Sequence, residues 1–243
     1  MSSVATQHVR IPLRWPEAGT VTSAVIWWPQ VDPGAPGAVL AHGAGSDRTQ
    51  PVLRAIAAGI AQRGHPVALF NFAYAQAGRR RPDPMTRLET TYRDVLAHLR
   101  GLLGGRPLVI GGRSLGGRVA SHLAAQGEPC AGLCLLGYPL HPAGRPDRLR
   151  TAHWPLLTGP ILFVSGDRDR LCDLDLLERE RRAGLARADH DVHVVRAADH
   201  GFEVRVRDGR SAGAVQAEIV AAVTGWMATR LRAGATARGP QRR

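Results

Sequence analysis

Leu108-Val109-Ile110-Gly111-Gly112-Arg113-Ser114-Leu115-Gly116-Gly117-Arg118-Val119-Ala120 is the stretch whose reading decides the fold. A short β-branched apolar run meets a Gly-x-Ser-x-Gly pentad and passes at once into apolar residues at Leu115, Val119 and Leu123, one face of a helix. The reading is strand, sharp turn, helix, with a serine at the bend. A backbone that reverses so abruptly brings the residues two before and two after the serine against neighbouring backbone, where a Cβ would collide. Glycine at 112 and 116 fits that demand. The bend lifts Ser114 Oγ above the sheet edge. It also leaves the amide of Leu115 at a helix start, with no intrahelical acceptor and free to bind a developing oxyanion.

The same glycines could in principle cradle a phosphate, and the spelling excludes it. A dinucleotide fingerprint needs Gly-x-Gly-x-x-Gly, but from Gly111 or Gly112 the third position is Arg113 or Ser114. A P-loop needs a lysine, and the chain has none.

Working outward, the chain of 243 residues is long enough for one sizeable α/β core. No run reaches the length of a membrane span, and Met1 to Arg14 has no apolar core of the kind a signal peptide needs, so a soluble cytoplasmic protein without membrane association is expected. Cys130, Cys134 and Cys172 are an odd count without metal-ligand spacing, so neither disulfides nor a metal are expected. The formal charge of +12 invites a nucleic-acid reading. Against it, five arginines (230, 232, 238, 242 and 243) sit in the last fourteen residues, and the others are interspersed with acids, as in Arg179-Glu180-Arg181. A solvated arginine-rich surface and no nucleic-acid partner are expected.

Val9 to Trp15 and Thr20 to Trp28 read as an edge hairpin. Ala38 to Gly45 is a buried strand ending in His42-Gly43-Ala44-Gly45, whose glycines let a backbone amide approach a substrate; Ala44 is the expected second oxyanion donor, with Gly43 and Gly45 as the near alternatives. His42 is tempting as a base but is better suited to holding that loop. Pro51 to Gln62 reads as a helix, His65 to Phe72 as a strand, and Ala73 to Pro84 as a long loop carrying Arg79-Arg80-Arg81. That basic run is read as exposed or docked on acids rather than as an anion site. Leu88 to Leu103 is a helix, Ala131 to Leu136 a strand, and 140–158 is longer than an ordinary connection, so a small cap is expected there. Ile161 to Ser165 is a strand leading to Asp167 and Asp169, Asp173 to Ala186 a charged helix, Val192 to Val195 a last strand followed by Asp199-His200, and Ala214 to Leu231 a closing helix. Residues 1–234 are expected to form one domain and 235–243 a disordered basic tail.

Serine hydroxyl is a poor nucleophile at neutral pH and needs a base, which in turn needs an orienting acid. His200 is the best base because it lies in a loop past its strand, whereas His193 lies in the strand and His190 before it. Spacing alone does not separate Asp167 from Asp169.

Leu40-Ala41-His42-Gly43-Ala44-Gly45, the Gly111 to Arg118 elbow, Gly137-Tyr138-Pro139-Leu140-His141-Pro142, Phe163 to Asp169 and Asp199-His200 together resemble the α/β-hydrolase superfamily. They are similar in particular to its small bacterial dienelactone-hydrolase-like branch, related to the testis-expressed hydrolase-like protein and a chromatin-complex subunit. The resemblance implies an α/β-hydrolase fold: a mostly parallel twisted sheet with helices on both faces, an antiparallel hairpin at the N-terminal edge and a minimal cap. It also implies that Asp169, last in Gly166-Asp167-Arg168-Asp169, is the acid and His200 the base. Dienelactone hydrolases proper use a cysteine where Ser114 stands, so that particular activity does not carry over. The expectation is a cofactor-free serine hydrolase of small carboxylic esters or thioesters. Ser114, His200 and Asp169 would be catalytic, Leu115 and Ala44 would bind the oxyanion, and His42, Gly43, Arg113 and Tyr138 would line the substrate site. The alternative is a hydrolase-fold binding or scaffold protein.

Overall fold

The computed structural model describes residues 4–15, 19–29 and 34–236. Eight strands form one sheet: β1 (Val4–Pro12), β2 (Val21–Pro29), β3 (Gly37–Ala41), β4 (Val67–Phe70), β5 (Leu108–Arg113), β6 (Gly132–Leu136), β7 (Ile161–Gly166) and β8 (His190–Val195). Their spatial order is β1-β2-β4-β3-β5-β6-β7-β8. β1 and β2 pair antiparallel, β2 meets β4 antiparallel, and every later pair is parallel. The expected edge hairpin and parallel sheet are therefore present. β3, β4, β5, β6 and β7 read as continuous apolar runs because helices cover both of their faces.

Alternate residues of each strand feed two cores. On one face Val39, Phe70, Ile110, Leu135 and Phe163 pack with α3 (Met85–Leu102), α4 (Leu115–Ala125) and α5 (Leu174–Gly184). On the other, Leu40, Leu69, Val109, Leu136 and Val164 pack with α1 (Pro51–Gln62) and α6 (Ala212–Thr236). Hydrophobic burial on both faces holds β5 within the sheet, so the chemistry-bearing ends of β5 and β7 are anchored rather than frayed, and β8 adds its end at the edge by pairing with β7.

Several boundaries differ from the sequence reading. β1 starts at Val4 and stops at Pro12, because antiparallel pairing with β2 runs from Val4↔Pro29 to Pro12↔Val21, and residues with little apolar character are recruited by the ladder alone. The loop after β4 contains one helical turn, α2 (Ala73–Gln76). His190 lies inside β8, paired with Ile161, rather than before the strand. The segment 140–158 is tied into the layer between α4 and α5, contacting both through the 3-10 turn Trp154–Leu156. Its Leu140, Trp154 and Leu157 are core residues of that face. α6 continues to Thr236, so helix occupies the first two positions of the expected tail; 237–243 lie outside the described residues.

Candidate active site

The bend at Ser114 has φ 50° and ψ −111°, a region that costs a non-glycine residue on the order of 1–3 kcal/mol. The surroundings hold it there. The Ser114 amide donates to the Leu136 carbonyl of β6 at 2.8 Å, and the two pentad glycines lie against one carbonyl of β3. A Cβ on Gly112 would stand 2.2 Å from Ala41 O, and one on Gly116 would stand 2.3 Å from it. Gly112 also has φ 148°, so its glycine identity is required twice over.

Two more non-glycine residues take positive φ among the described residues, and both flank the imidazole: Ala197 at 64° and Phe202 at 62°. Strain is thus confined to the elbow and the loop after β8. That loop is shaped by Asp199, whose carboxylate accepts from the amides of Gly201 at 2.7 Å and Glu203 at 2.9 Å. His200 is thereby laid over Gly137 at the end of β6, where a Cβ would stand 3.4 Å from the His200 carbonyl.

The three side chains expected to act together meet in one chain of hydrogen bonds. The Ser114 hydroxyl lies 2.9 Å from His200 Nε2, and His200 Nδ1 lies 2.8 Å from Asp169 Oδ2. With Nδ1 protonated and donating to the carboxylate, Nε2 is left as an acceptor for the serine proton. The Asp169 side chain is wholly buried, and its other oxygen accepts from the Leu171 amide at 2.8 Å. Asp167 is exposed. Of the two acids that spacing leaves open, Asp169 is the one hydrogen-bonded to His200.

The amides of Leu115 and Ala44 have no hydrogen-bond partner among the described residues, as an oxyanion pair requires before substrate arrives. His42 explains how the second loop is held. It is completely buried; Nδ1 donates to the Gly43 carbonyl at 2.8 Å and Nε2 accepts from the Phe72 amide at 3.1 Å. Both ring nitrogens are used inside the fold, so His42 shapes the loop and does not face a substrate. Tyr74 assists: its hydroxyl donates to the Gly43 carbonyl at 3.4 Å and meets the Gly45 amide, so the loop is held from its carbonyl at 43 and its amide at 45. Sequence reasoning missed Tyr74 because it falls in a stretch read as loop.

Arg113 and Tyr138 also differ from their expected places. The Arg113 guanidinium donates to the His200 carbonyl at 3.2 Å and lies 2.9 Å from where a Cβ on Gly43 would be, so it ties the imidazole loop to the oxyanion loop. Tyr138 is fully buried; its hydroxyl donates to the Arg150 carbonyl at 2.7 Å and its ring packs on Trp154 and Phe163. It supports the floor of the site from below and contacts no solvent. Gly43 contributes a crowded backbone rather than a side chain. A cleft of about 430 Å³ opens beside the imidazole, lined by Arg168, Arg170, Asp199, His200 and Glu203 among others. Among the described residues no group of three His, Cys, Asp or Glu has metal-binding geometry. No described helix is long and apolar enough to cross a membrane.

Burial gives the site a pH-dependent stability. It pushes the His42 pKa down from 6.5 to about 4, while an unfolded chain keeps the ordinary value. Between those values the unfolded state binds a proton that the folded state refuses, so stability is complete above pH 6.5 and is lost as pH falls toward 4. His153, held down to about 3 by burial and by its cationic neighbours, acts in the same direction. The melting temperature is expected to fall steadily from pH 6.5 to pH 4. The contribution of His42 alone is on the order of 3 kcal/mol. A melting temperature that stays level across that window contradicts the buried, neutral assignment.

Among solved structures the chain is similar to an alpha-beta serine hydrolase homologue from Coxiella burnetii, at 16% identity and TM-score 0.71, covering 89% of this chain and 97% of that one. It is similar also to a dienelactone hydrolase from Anabaena variabilis, at 21% identity and TM-score 0.69, covering 94% and 99%. Est1E from Butyrivibrio proteoclasticus aligns at 11% identity and TM-score 0.68, covering 91% and 99%. At these identities the likeness is one of fold. The sheet order, the strained serine between β5 and α4, and a match of residues 35–228 to the family described as alpha/beta hydrolase domain agree: the chain belongs to the alpha/beta hydrolase family.

Proposed function

We propose that the protein is a serine hydrolase that cleaves carboxylic esters or thioesters of small molecules through an acyl-enzyme intermediate. The observation that carries this reading is the unbroken hydrogen-bond chain from Ser114 through His200 to buried Asp169. As Ser114 Oγ attacks the substrate carbonyl carbon, His200 Nε2 takes the hydroxyl proton. The carbonyl electron pair moves onto oxygen and is met by the amides of Leu115 and Ala44. His200 returns the proton to the departing alkoxide or thiolate as the tetrahedral intermediate collapses to acyl-Ser114. A water then gives its proton to His200 and attacks the acyl carbon, and the carboxylic acid leaves as Ser114 is re-protonated. Asp169 stays ionised and stabilises the imidazolium in both halves of the reaction.

A fluorophosphonate probe tests this directly, because it reacts only with a serine whose base and oxyanion donors are in place. The expected result is stoichiometric labelling, mapped to Ser114 by peptide mass. A folded protein that takes up no label overturns the hydrolase reading and leaves a binding or scaffold role for the fold.

A further inference from the structure

Around the carboxyl end of β6 the fold places more N–H donors than acceptors. Arg118 stands one helical turn after Ser114, its amide donating to the Ser114 carbonyl at 3.0 Å. Among the described residues its Nε is buried without a hydrogen-bond partner, and the guanidinium enters no ion pair. Arg150 is brought to the same place by its backbone: its amide donates to Leu140 O at 2.9 Å and its carbonyl accepts the Tyr138 hydroxyl at 2.7 Å. Among the described residues its guanidinium makes one bond, of 3.3 Å, to the neutral Pro139 carbonyl. The two cations are near enough that Arg118, after burial, is the main influence lowering the Arg150 pKa.

Among the described residues no carboxylate pairs with either guanidinium. The indole N–H of Trp154, a fully buried residue whose ring is tilted against that of Tyr138, is directed at the Tyr138 hydroxyl and brings no charge. His153 is neutral, with Nε2 engaged by Ser121 Oγ at 2.8 Å. Two acids stand nearby and both are engaged elsewhere: Glu89 with His122 at 3.3 Å, and Glu180 with Thr151 Oγ1 at 3.5 Å and with Arg179 at 3.5 Å. Elsewhere the chain pairs arginines with acids, as in Arg168 with Asp208 and Arg230 with Asp191. Two partly desolvated like charges with unsatisfied donors cost free energy unless an anion joins them. Arg118 follows Ser114 by one helical turn and Arg150 is bonded to the segment after β6, at the carboxyl end of parallel strands, where α/β folds bind ligands.

We propose that Arg118 and Arg150 form a subsite for an anionic group, a carboxylate or a phosphate, carried by the ester that Ser114 attacks. This deepens the serine-hydrolase reading and rests on it. Paired guanidinium forks match two oxygens of one oxyanion, and Arg118 leaves α4 one turn, about 5.4 Å along the helix axis, after Ser114. The anion therefore sits a few bonds along the acyl or leaving group, and its neutral counterpart forgoes the contact.

The test uses matched substrates: p-nitrophenyl butyrate against the p-nitrophenyl hemiester of succinate, and p-nitrophenyl pentanoate against p-nitrophenyl 3-phosphonopropanoate, whose phosphonate stands in for a phosphate. In at least one pair the charged member is expected to have a kcat/KM higher by about tenfold or more. That ratio should collapse toward one in Arg118→Gln and in Arg150→Gln, and the pair that responds tells carboxylate from phosphate. No preference in either pair, or a preference that survives both substitutions, overturns the proposal. Should the variants not fold, wild-type protein decides: succinate must inhibit butyrate ester hydrolysis more strongly than dimethyl succinate does, and equal inhibition overturns the subsite. Hydrolysis of none of the four esters, with Ser114 unlabelled by the fluorophosphonate, is a different failure, that of the hydrolase reading itself.

Discussion

Replacing Ser114 with alanine lowers turnover of p-nitrophenyl acetate by at least about a thousandfold, the scale set by removing a nucleophile that works as part of a triad. The loss is large because the hydroxyl is not one of several equivalent donors: it is the atom that forms the acyl bond. What remains comes from binding and from the amides of Leu115 and Ala44, which the substitution leaves in place. The substitution also relieves nothing structurally, since alanine keeps the Cβ and the strained φ of 50°. An unchanged melting temperature with lost turnover is therefore expected, and the fluorophosphonate signal disappears with it. Retained hydrolysis in purified Ser114→Ala protein would place the chemistry elsewhere in the molecule.

How much of this was readable from the chain depends on how local each signal is. The elbow was legible because its constraint is backbone crowding, and crowding dictates glycine: both Gly112 and Gly116 face the Ala41 carbonyl. The end of a strand and the loop after it are also adjacent in sequence, so the placement of Ser114 and His200 above one sheet edge followed from strand order. Tyr138 misled for the opposite reason. It follows β6 immediately, where a substrate wall is expected, yet its ring is claimed by Trp154 and Phe163, residues far along the chain whose packing no local pattern reveals. Arg113 behaves likewise, being drawn to the carbonyl of His200. The segment 140–158 has no period because it serves as irregular filler between α4 and α5, and irregular packing leaves no periodic trace in sequence.

The carboxylate is where local spelling was silent and geometry speaks, and it carries the second large effect. Asp169→Asn is expected to lower kcat by about three to four orders of magnitude, the scale seen when the acid behind a catalytic histidine loses its charge. The reason lies in how the carboxylate is shared. One oxygen of Asp169 accepts from the Leu171 amide at 2.8 Å, and the other accepts from His200 Nδ1 at 2.8 Å. In the amide variant the Leu171 amide still demands an acceptor and claims the single oxygen, which turns the new NH2 toward His200. A donor facing Nδ1 forces the tautomer in which Nε2 carries the proton, and that nitrogen can no longer receive the proton of Ser114. Asp167→Asn, at an exposed position in the same loop, makes no such demand, and its kcat should stay within a few fold of wild type. Parallel measurement of the two variants separates the acids: comparable activity in both would mean that the buried carboxylate holds the loop without governing the imidazole.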